Sequence, residues 1–147
     1  MTELNGDTTK LRLFAAGVDN LLGTILCLFI ASRLPGIESP LVRWEFGILA
    51  YLGYFLVMEA TWHTTLGKRL FGLTIVRLDG GEVTWEEAGW RTLLRIVEVN
   101  PILLGMLPGA LAVRFTKRKQ RLGDLLAGTI VVRRTALEAE VASRVAA

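Results

Sequence analysis

Two charged residues in the first apolar stretch are the first candidates for chemistry. Asp19 lies in the middle of Leu11–Ala31, and Arg12 lies seven residues before it. On an α-helix this spacing places both side chains on nearly the same face, roughly 10 Å apart along the axis. An aspartate at the centre of a membrane costs about 2.5–3.5 kcal/mol on insertion scales, so it needs a cation, a water-filled cavity or a proton. Intramembrane carboxylates of this kind commonly bind ions or relay protons.

Other ionisable residues are expected at a similar depth. Glu59 and His63 are four residues apart at the end of the second apolar stretch, and Arg91, Arg95 and Glu98 follow helical spacing further on. The predicted charge network contains the acids Asp19, Glu59, Glu98 and Asp124 and the bases Arg12, Lys68, Arg91 and Arg95. The balance of signs indicates a paired network at the cytoplasmic membrane surface.

Two interpretations of this network stay open. In the first it is a proton or cation pathway, with Asp19 as the protonatable or ion-binding group, Arg12 as its electrostatic partner, and Glu59 and Glu98 as relays. In the second the charges fix the helix registers and anchor the soluble part of the chain. His63 is predicted to be an interfacial residue, because one histidine without a second clear ligand is weak evidence for a metal. No metal and no cofactor is expected.

The composition is that of a small membrane protein. The chain has 147 residues, enough for one domain, and 52% of them are hydrophobic. The 17 basic and 14 acidic residues leave a net charge of +3. The single cysteine, Cys27, excludes an intramolecular disulfide and a cysteine-based metal cluster, and is predicted to be a small residue on a membrane helix. No phosphate-binding loop or serine–histidine pair is recognisable, so the protein is not expected to be an enzyme.

The elements that must position the network are two spanning helices and a broken third segment. The spans are predicted at about residues 11–31 and 44–62, each about as long as a bilayer core requires. The third apolar segment, residues 93–115, is interrupted by Asn100-Pro101 and Pro108-Gly109. Basic residues flank it on both sides, so the positive-inside rule favours a re-entrant or interfacial hairpin. The alternative is a simple third crossing.

A short stretch of the sequence occurs twice, at a constant offset of 56 residues. Thr65–Arg77 aligns with Arg121–Arg133 without a gap, and Lys68 falls opposite Asp124. Each copy is predicted to be a short helix, a glycine and a β-branched strand. The identical positions are Leu66/Leu122, Gly67/Gly123, Leu70/Leu126, Gly72/Gly128, Val76/Val132 and Arg77/Arg133.

The two copies are predicted to form a small sheet. We expect strand Leu73–Arg77 to pair with strand Thr129–Arg133, so that the short helices meet across a local pseudo-twofold axis. Lys68 would then approach Asp124, and both would join the charge network. The alternative is a chance similarity between two glycine-bounded apolar strands.

The segment between the copies, residues 63–90, is predicted to be cytoplasmic and soluble. Asp79-Gly80-Gly81 has the composition of a tight hairpin turn, so a strand is expected on either side of it. Thr84 and Glu87 have the spacing of a capping box and predict the start of a helix.

These residues and motifs resemble the RDD family of small bacterial membrane proteins, which is named for one arginine and two aspartates. Arg12 matches the family's arginine, Asp19 its first aspartate, and Asp124 in "QRLGDLLAGTIVV" its second. "TLGKRLFGLTIV" and "WRTLLR" are similar to its other motifs, and the similarity runs from about Lys10 to Arg134. The resemblance implies a family treated as uncharacterised, with transport of unknown ligands suggested and cation/proton exchange proposed for some members. It implies no enzyme activity and no cofactor.

The predicted fold is an α-helical membrane protein with two spanning helices, a broken third apolar segment, and a small cytoplasmic β-sheet with short helices. Residues 10–134 form the membrane domain, which a helix–strand unit at 120–134 closes. Residues 1–9 are predicted to be a mobile tail, and residues 135–147 a tail that is either a short surface helix or mobile. We expect a multi-pass protein of the bacterial inner membrane with a cytoplasmic N-terminus.

Two functions are compatible with these expectations. The first is transport of ions or small solutes, by a homo-oligomer because two spans and a partial one are too few to enclose a pathway. The second is a structural or accessory role, in which the basic cytoplasmic face, including Arg118 and Lys119, binds anionic lipid or a partner. The basic run "RFTKRK" adjoins an apolar segment and is interpreted as a topology signal, so no nucleic acid is expected.

Overall fold

The computed structural model describes residues 8–35, 37–98 and 120–145. Within these residues the helices are α1 (Thr9–Arg33), α2 (Pro40–Trp62), α3 (Leu66–Leu70), α4 (Trp85–Glu98), α5 (Leu122–Leu126) and α6 (Arg134–Val145), and the strands are β1 (Leu73–Arg77) and β2 (Thr129–Arg133). Most of the predicted third apolar segment, residues 93–115, lies outside the described residues, as do residues 1–7 of the predicted tail. The path of that segment stays a prediction.

The two longest helices, α1 and α2, pack against each other as an antiparallel pair. Their most apolar 18-residue windows have mean hydropathies of 2.0 and 1.4, and both helices are long enough to cross a membrane. Large apolar side chains on them stay exposed, among them Leu21, Ile25, Phe29 and Leu49. Such side chains suit a lipid environment, because in water they would leave apolar surface exposed to the solvent.

Small residues allow α1 and α2 to approach closely. A methyl group on Gly23 would lie 2.6 Å from Tyr51 Cδ2, and one on Gly47 would lie 2.8 Å from Cys27 Sγ. Asn20 accepts a hydrogen bond from the Tyr51 hydroxyl at 2.7 Å. The predicted role of Cys27 as a small packing residue is confirmed, since its thiol is free and buried in this interface.

The two copies of the repeated stretch form one unit, here called the cap, which consists of α3, β1, α5 and β2. The strands pair antiparallel with Ile75 opposite Val131, which confirms the predicted pairing. These two residues are also equivalent in the repeat, so a local pseudo-twofold axis passes between them. Both are buried in the core, where the side chains that pack together are Ala15, Ala60, Leu73, Ile75, Val83, Ala88 and Val131.

Equivalent glycines and hydrogen bonds follow the same symmetry. Gly72 and Gly128 connect each short helix to its strand with φ angles of +64° and +60°, a left-handed conformation that glycine adopts without strain. The amide of Leu78 donates to the Gly128 carbonyl at 2.9 Å, and the amide of Arg134 donates to the Gly72 carbonyl at 2.9 Å. The repeat in the sequence is therefore a repeat of backbone structure.

The predicted strand after the Asp79-Gly80-Gly81 turn is wrong. The turn forms, with the Arg77 amide donating to the Gly81 carbonyl at 3.0 Å, but residues 81–84 are not a strand. The outer edge of β1 is occupied by two carbonyl groups instead, that of Gly81 and that of His63, which accepts from the Ile75 amide at 2.8 Å. These acceptors take the place that a neighbouring strand would fill.

The start of α4 is the predicted capping box. The Thr84 amide donates to Glu87 at 2.8 Å, and the Glu87 amide donates to the Thr84 hydroxyl at 3.3 Å. At the other end of the chain, the C-terminal tail forms α6, as in the first of the two alternatives. Leu137 of this helix packs on Val132 and Ile130 of β2, which ties the tail to the cap.

Candidate functional site

Glu59 is the centre of one half of the charge network. It lies on α2, and none of its surface is exposed. Its carboxylate accepts from Lys68 Nζ at 2.5 Å, from Arg91 Nε at 2.7 Å and from Arg95 Nη2 at 3.3 Å. The guanidinium of Arg95 also lies 3.5 Å from the centre of the Phe55 ring. One buried glutamate thus joins α2 to α3 and α4.

Asp124 is the centre of the other half. It lies on α5, is 2% exposed, and accepts from Arg12 Nη2 at 2.7 Å. Arg91 Nη1 donates a short hydrogen bond to the same carboxylate and a second bond to the Thr129 hydroxyl at 2.6 Å. Because Arg91 contacts both Glu59 and Asp124, it connects the two halves into one chain of ion pairs across five helices.

The glycines of the repeat bring the short helices close enough for these contacts. A methyl group on Gly123 would lie 3.2 Å from Arg91 Cα, so α5 packs directly on the backbone of α4. A methyl group on Gly67 would lie 2.8 Å from Asp19 Cγ and closer still to the Ala15 carbonyl oxygen. Each copy therefore packs its short helix on a different neighbouring helix, through the equivalent glycine.

Asp19 has different partners from those predicted. It is 1% exposed and accepts from the Gly67 amide at 2.7 Å, from the Tyr54 hydroxyl at 3.0 Å and from the Thr65 hydroxyl in a short hydrogen bond. Arg12, its predicted electrostatic partner, contacts the aspartate of α5 instead. The reason is the first turn of α3, where the Gly67 amide and the positive end of the helix dipole meet the Asp19 carboxylate.

Lys68 and Asp124 belong to one network, but Lys68 forms its ion pair with Glu59 rather than with Asp124. The two residues are therefore linked indirectly, because Arg91 contacts both Glu59, the partner of Lys68, and Asp124. Lys68 and Asp124 do line the same cavity. Both residues therefore join the charge network as the repeat predicted, but Lys68 pairs with a carboxylate of α2.

Glu98 and His63 are the two remaining residues that the sequence predicted near the network. Glu98 ends α4, and its side chain lies outside the described part of the structure. His63 terminates α2 in a left-handed conformation with φ of 52°, and its Nε2 lies 3.6 Å from Glu82 Oε2. Among the described residues no group of three or more histidine, cysteine, aspartate or glutamate side chains is arranged to hold a metal ion.

Burial and neighbouring charges shift the pKa values of the cap residues. Burial lowers the pKa of Lys68, and Glu59 only partly offsets this, so the pKa is about 8 instead of 10.5. Burial alone would raise the pKa of Asp124, but Arg91 and Arg12 outweigh it and hold the pKa at about 2. For Arg91, burial is likewise outweighed by the two carboxylates, which raise its pKa above the usual range. At pH 7 these groups are ionised.

A small polar cavity of about 20 Å³ lies at the centre of the network. This volume has room for about one water molecule or one atom of a small anion. Five basic side chains and one carboxylate line it. The lining residues are Arg12, Lys68, Arg91, Arg95, Arg121, Gly123, Asp124 and Val131.

The hydroxyl groups that form hydrogen bonds with the charge network were not predicted from the sequence. Thr65 had a recognisable signal, because a threonine directly before "LGKRL" is a typical N-cap residue, and its hydroxyl accepts from the Lys68 amide at 3.4 Å. Thr129 and Tyr54 had no such signal, since a β-branched residue in a strand and a tyrosine in a span are ordinary. Their contacts depend on the packing of distant helices.

The model of the RDD family matches residues 8–128 of the chain, a range that includes Arg12, Asp19 and Asp124. The chain belongs to the RDD family. In this RDD protein Arg12 and Asp124 are in direct contact, whereas Asp19 binds the amino-terminal turn of α3.

One curated relative of this RDD protein is the uncharacterized membrane protein YteJ of Bacillus subtilis (strain 168). The two are 32% identical over 87 residues, which is 58% of this chain and 49% of YteJ, so the match spans about half of the relative's length. No solved structure gives a significant match. The protein is therefore a membrane protein of the RDD family, with two helices long and apolar enough to span a membrane.

Proposed function

We propose that this RDD protein is an accessory protein of the bacterial inner membrane, whose two spanning helices carry a cytoplasmic cap that binds anionic lipid or a partner. One observation carries the proposal: each network carboxylate with a described side chain already has fixed protein partners. Asp19 has three hydrogen-bond donors, Glu59 three cations and Asp124 two arginines. A pathway needs groups that exchange partners, whereas fixed pairs hold helices together.

The position of the cap supports an orientation with the cap in the cytoplasm. The amino-terminal end of α1 and the carboxyl-terminal end of α2 both meet the cap through Ala15 and Ala60. The basic run of residues 114–119 directly precedes the second copy of the repeat. Under the positive-inside rule we expect the cap to lie beside the anionic cytoplasmic leaflet, which attracts each nearby lysine or arginine by about 1 kcal/mol.

The proposal is tested by lipid preference in reconstituted protein. The variant Arg118→Gln/Lys119→Gln should show a weaker enrichment of anionic lipid around the protein, measured with spin-labelled lipids at low and high salt. The matched control is Arg33→Gln/Arg43→Gln, which removes the same charge at the opposite ends of α1 and α2. An enrichment that responds equally to both pairs, or that is insensitive to salt, contradicts the electrostatic proposal.

Transport is the second candidate function, and the contacts of Asp19 favour it. Unlike Glu59 and Asp124, which contact cations, Asp19 has uncharged partners among the described residues, namely two hydroxyls and an amide. A hydroxyl oxygen can also accept a hydrogen bond from a protonated carboxyl group, so these partners are compatible with a change of protonation at Asp19. Purified protein in liposomes would then support a proton- or sodium-coupled flux that Asp19→Asn abolishes and that the neighbouring Asn20→Ala variant retains. A flux that Asp19→Asn retains removes this residue from the mechanism, and the absence of flux in the unchanged protein favours the accessory role.

A further inference from the structure

We propose that the short helix α3 is sunk in the membrane leaflet on the side of the cap, where Leu66 and Leu70 contact lipid acyl chains. The two leucines lie on the same face of α3, one helical turn apart, and they are 45% and 72% exposed. The inference depends on the crossing of the membrane by α1 and α2 and not on the accessory role, so it goes beyond the proposed function. It assigns a partner to an apolar surface that lies outside both spanning helices.

The contacts of α3 with α2 indicate its depth. The Leu66 amide donates a hydrogen bond to the Tyr54 hydroxyl at 3.3 Å. Tyr54 lies roughly 12 Å along the axis of α2 from Trp62, the last residue of that helix. A tryptophan at the end of a spanning helix is typical of the membrane interface. The chain therefore turns back after α2 and begins α3 deeper than the level at which α2 ends.

The contacts of α3 with α1 indicate the same depth. The Gly67 amide donates to Asp19 at 2.7 Å, and Asp19 lies roughly 10 Å along the axis of α1 from Arg12. Directly after α3, the ring of Phe71 stacks on that of Phe14, with 6.3 Å between the ring centres. The helix α3 thus runs beside α1 from the level of Asp19 back towards the level of Phe14. Both levels lie on the membrane side of Arg12.

The backbone of α3 has the hydrogen bonds that a position without water requires. The first amides of a helix have no acceptor within the helix, and in hydrocarbon no water replaces it. In α3 three successive amides each have a side-chain acceptor. These are the Tyr54 hydroxyl for Leu66, the Asp19 carboxylate for Gly67, and the Thr65 hydroxyl for Lys68 at 3.4 Å. The start of this five-residue helix is therefore compatible with the interior of a leaflet.

The two charged residues of α3 are also compatible with this position. Lys68 forms an ion pair with Glu59 at 2.5 Å and is directed into the protein. Arg69 is exposed and lines a cavity with Trp62 and His63 at the carboxyl-terminal end of α2. Its long side chain can therefore keep the guanidinium at the membrane surface while the helix itself lies deeper.

The exposed apolar face of α3 continues the exposed apolar face of α1. Phe14, which stacks on Phe71, is itself 62% exposed, and Leu21 of α1 is exposed to the same extent. Leu66 and Leu70 extend this surface sideways from α1 at the same depth. Acyl chains that cover α1 would therefore cover α3 as well, whereas water would meet a large apolar surface there.

The experiment measures the accessibility of spin labels on α3 in the full chain, reconstituted in lipid bilayers. Single cysteines replace Leu66 or Leu70 in a Cys27→Ala background. Power-saturation EPR then compares collisions with oxygen, which concentrates in hydrocarbon, and with a polar nickel complex, which stays in water. The references in the same chain are Ile25→Cys on the exposed face of α1 and Asp79→Cys in the turn after β1. The ratio of oxygen to nickel collisions at both leucines should be several-fold above that at Asp79, with the higher value at Leu66.

Two results overturn the inference. A ratio at both leucines equal to that at Asp79 would place α3 in water. Low accessibility to both reagents would show that a second copy of the chain or another protein segment covers the leucines instead of lipid. Because Ile25 reports the membrane position of α1 in the same samples, a hydrocarbon signal there together with either result overturns this inference alone and leaves the proposed function standing.

A second measurement needs no substitution in α3. A photoactivated carbene reagent dissolved in the bilayer should modify residues 66–71 of the unaltered chain and leave the turn at residues 78–81 unmodified, as mass spectrometry of the peptides would show. Modification of the turn without modification of α3 contradicts the inference.

Discussion

The two copies of the repeated stretch have the same backbone and different surroundings. In both, a short helix is followed by a glycine with positive φ and a five-residue strand. The first copy packs through Gly67 on α1, and the second packs through Gly123 on α4. A single backbone unit, used twice around a pseudo-twofold axis, thus fastens two different long helices to one small sheet.

The difference between the copies is the charge at one equivalent position. Lys68 of the first copy binds Glu59 on α2, whereas Asp124 of the second copy binds Arg12 on α1 and Arg91 on α4. With the same sign at both positions, one copy would face like charge. The backbone of the two copies is therefore symmetric, whereas the charge at this position matches a different neighbour in each copy.

The largest expected effect is that of exchanging the two charges. In Lys68→Asp/Asp124→Lys the new aspartate faces Glu59 and the new lysine faces two arginines, although composition and net charge are unchanged. Breaking one buried pair costs about 3–5 kcal/mol, so the double variant should not fold. The measurement is the yield of monodisperse protein, with the exposed pair Arg134→Glu/Glu138→Arg as a tolerated control. Rescue of the single variants by the double variant would show instead that Lys68 and Asp124 are direct partners.

A smaller difference is expected between the equivalent glycines. Gly67→Ala would place a methyl group 2.8 Å from Asp19 Cγ and should lower the free energy of unfolding by about 1–3 kcal/mol. Gly123→Ala meets Arg91 Cα at 3.2 Å, and the higher helix propensity of alanine offsets part of the clash, so its cost should be below about 1 kcal/mol. Thermal unfolding in detergent separates the two, and Gly53→Ala, with open space around it, serves as control. Equal costs would contradict the asymmetric packing.

The smallest expected effects are those of pH on the free energy of unfolding. A lysine causes the effect in the first copy, and an aspartate causes it in the second. Lys68 has a pKa of about 8 in the folded protein and 10.5 when unfolded, so between these values the unfolded chain binds more protons and stability rises with pH. Asp124 has a pKa of about 2 against 3.8, so the stability it contributes above about pH 4 is lost as pH falls towards 2. Unfolding at several pH values measures both, and Lys68→Met should remove the alkaline rise alone. A rise that persists in this variant belongs to another group.

Much of the fold followed from the sequence, and most of the errors concern partners. The repeat predicted the pairing of β1 with β2, because two equal strands that meet antiparallel must be symmetric about one pair of residues. The balance of signs predicted that Arg12 and Asp124 belong to one charge network, but not that they pair with each other across 112 residues. That choice depends on how α5 packs on α4, which no local spacing encodes. The hairpin prediction was wrong because the His63 carbonyl occupies the outer edge of β1.

The most direct test of the account is a double-mutant cycle on Arg12 and Asp124 in reconstituted protein. Arg12→Met removes one of the two arginines that contact Asp124, and Asp124→Asn removes the carboxylate that Arg12 and Arg91 contact, so each should cost up to about 3–5 kcal/mol of unfolding free energy. If this pair fastens α1 to the cap, the double variant should cost at least about 2 kcal/mol less than the sum of the single variants. Costs that add within about 0.5 kcal/mol would show that the two residues do not interact, and would contradict the central claim that the network holds the cap on the spanning helices.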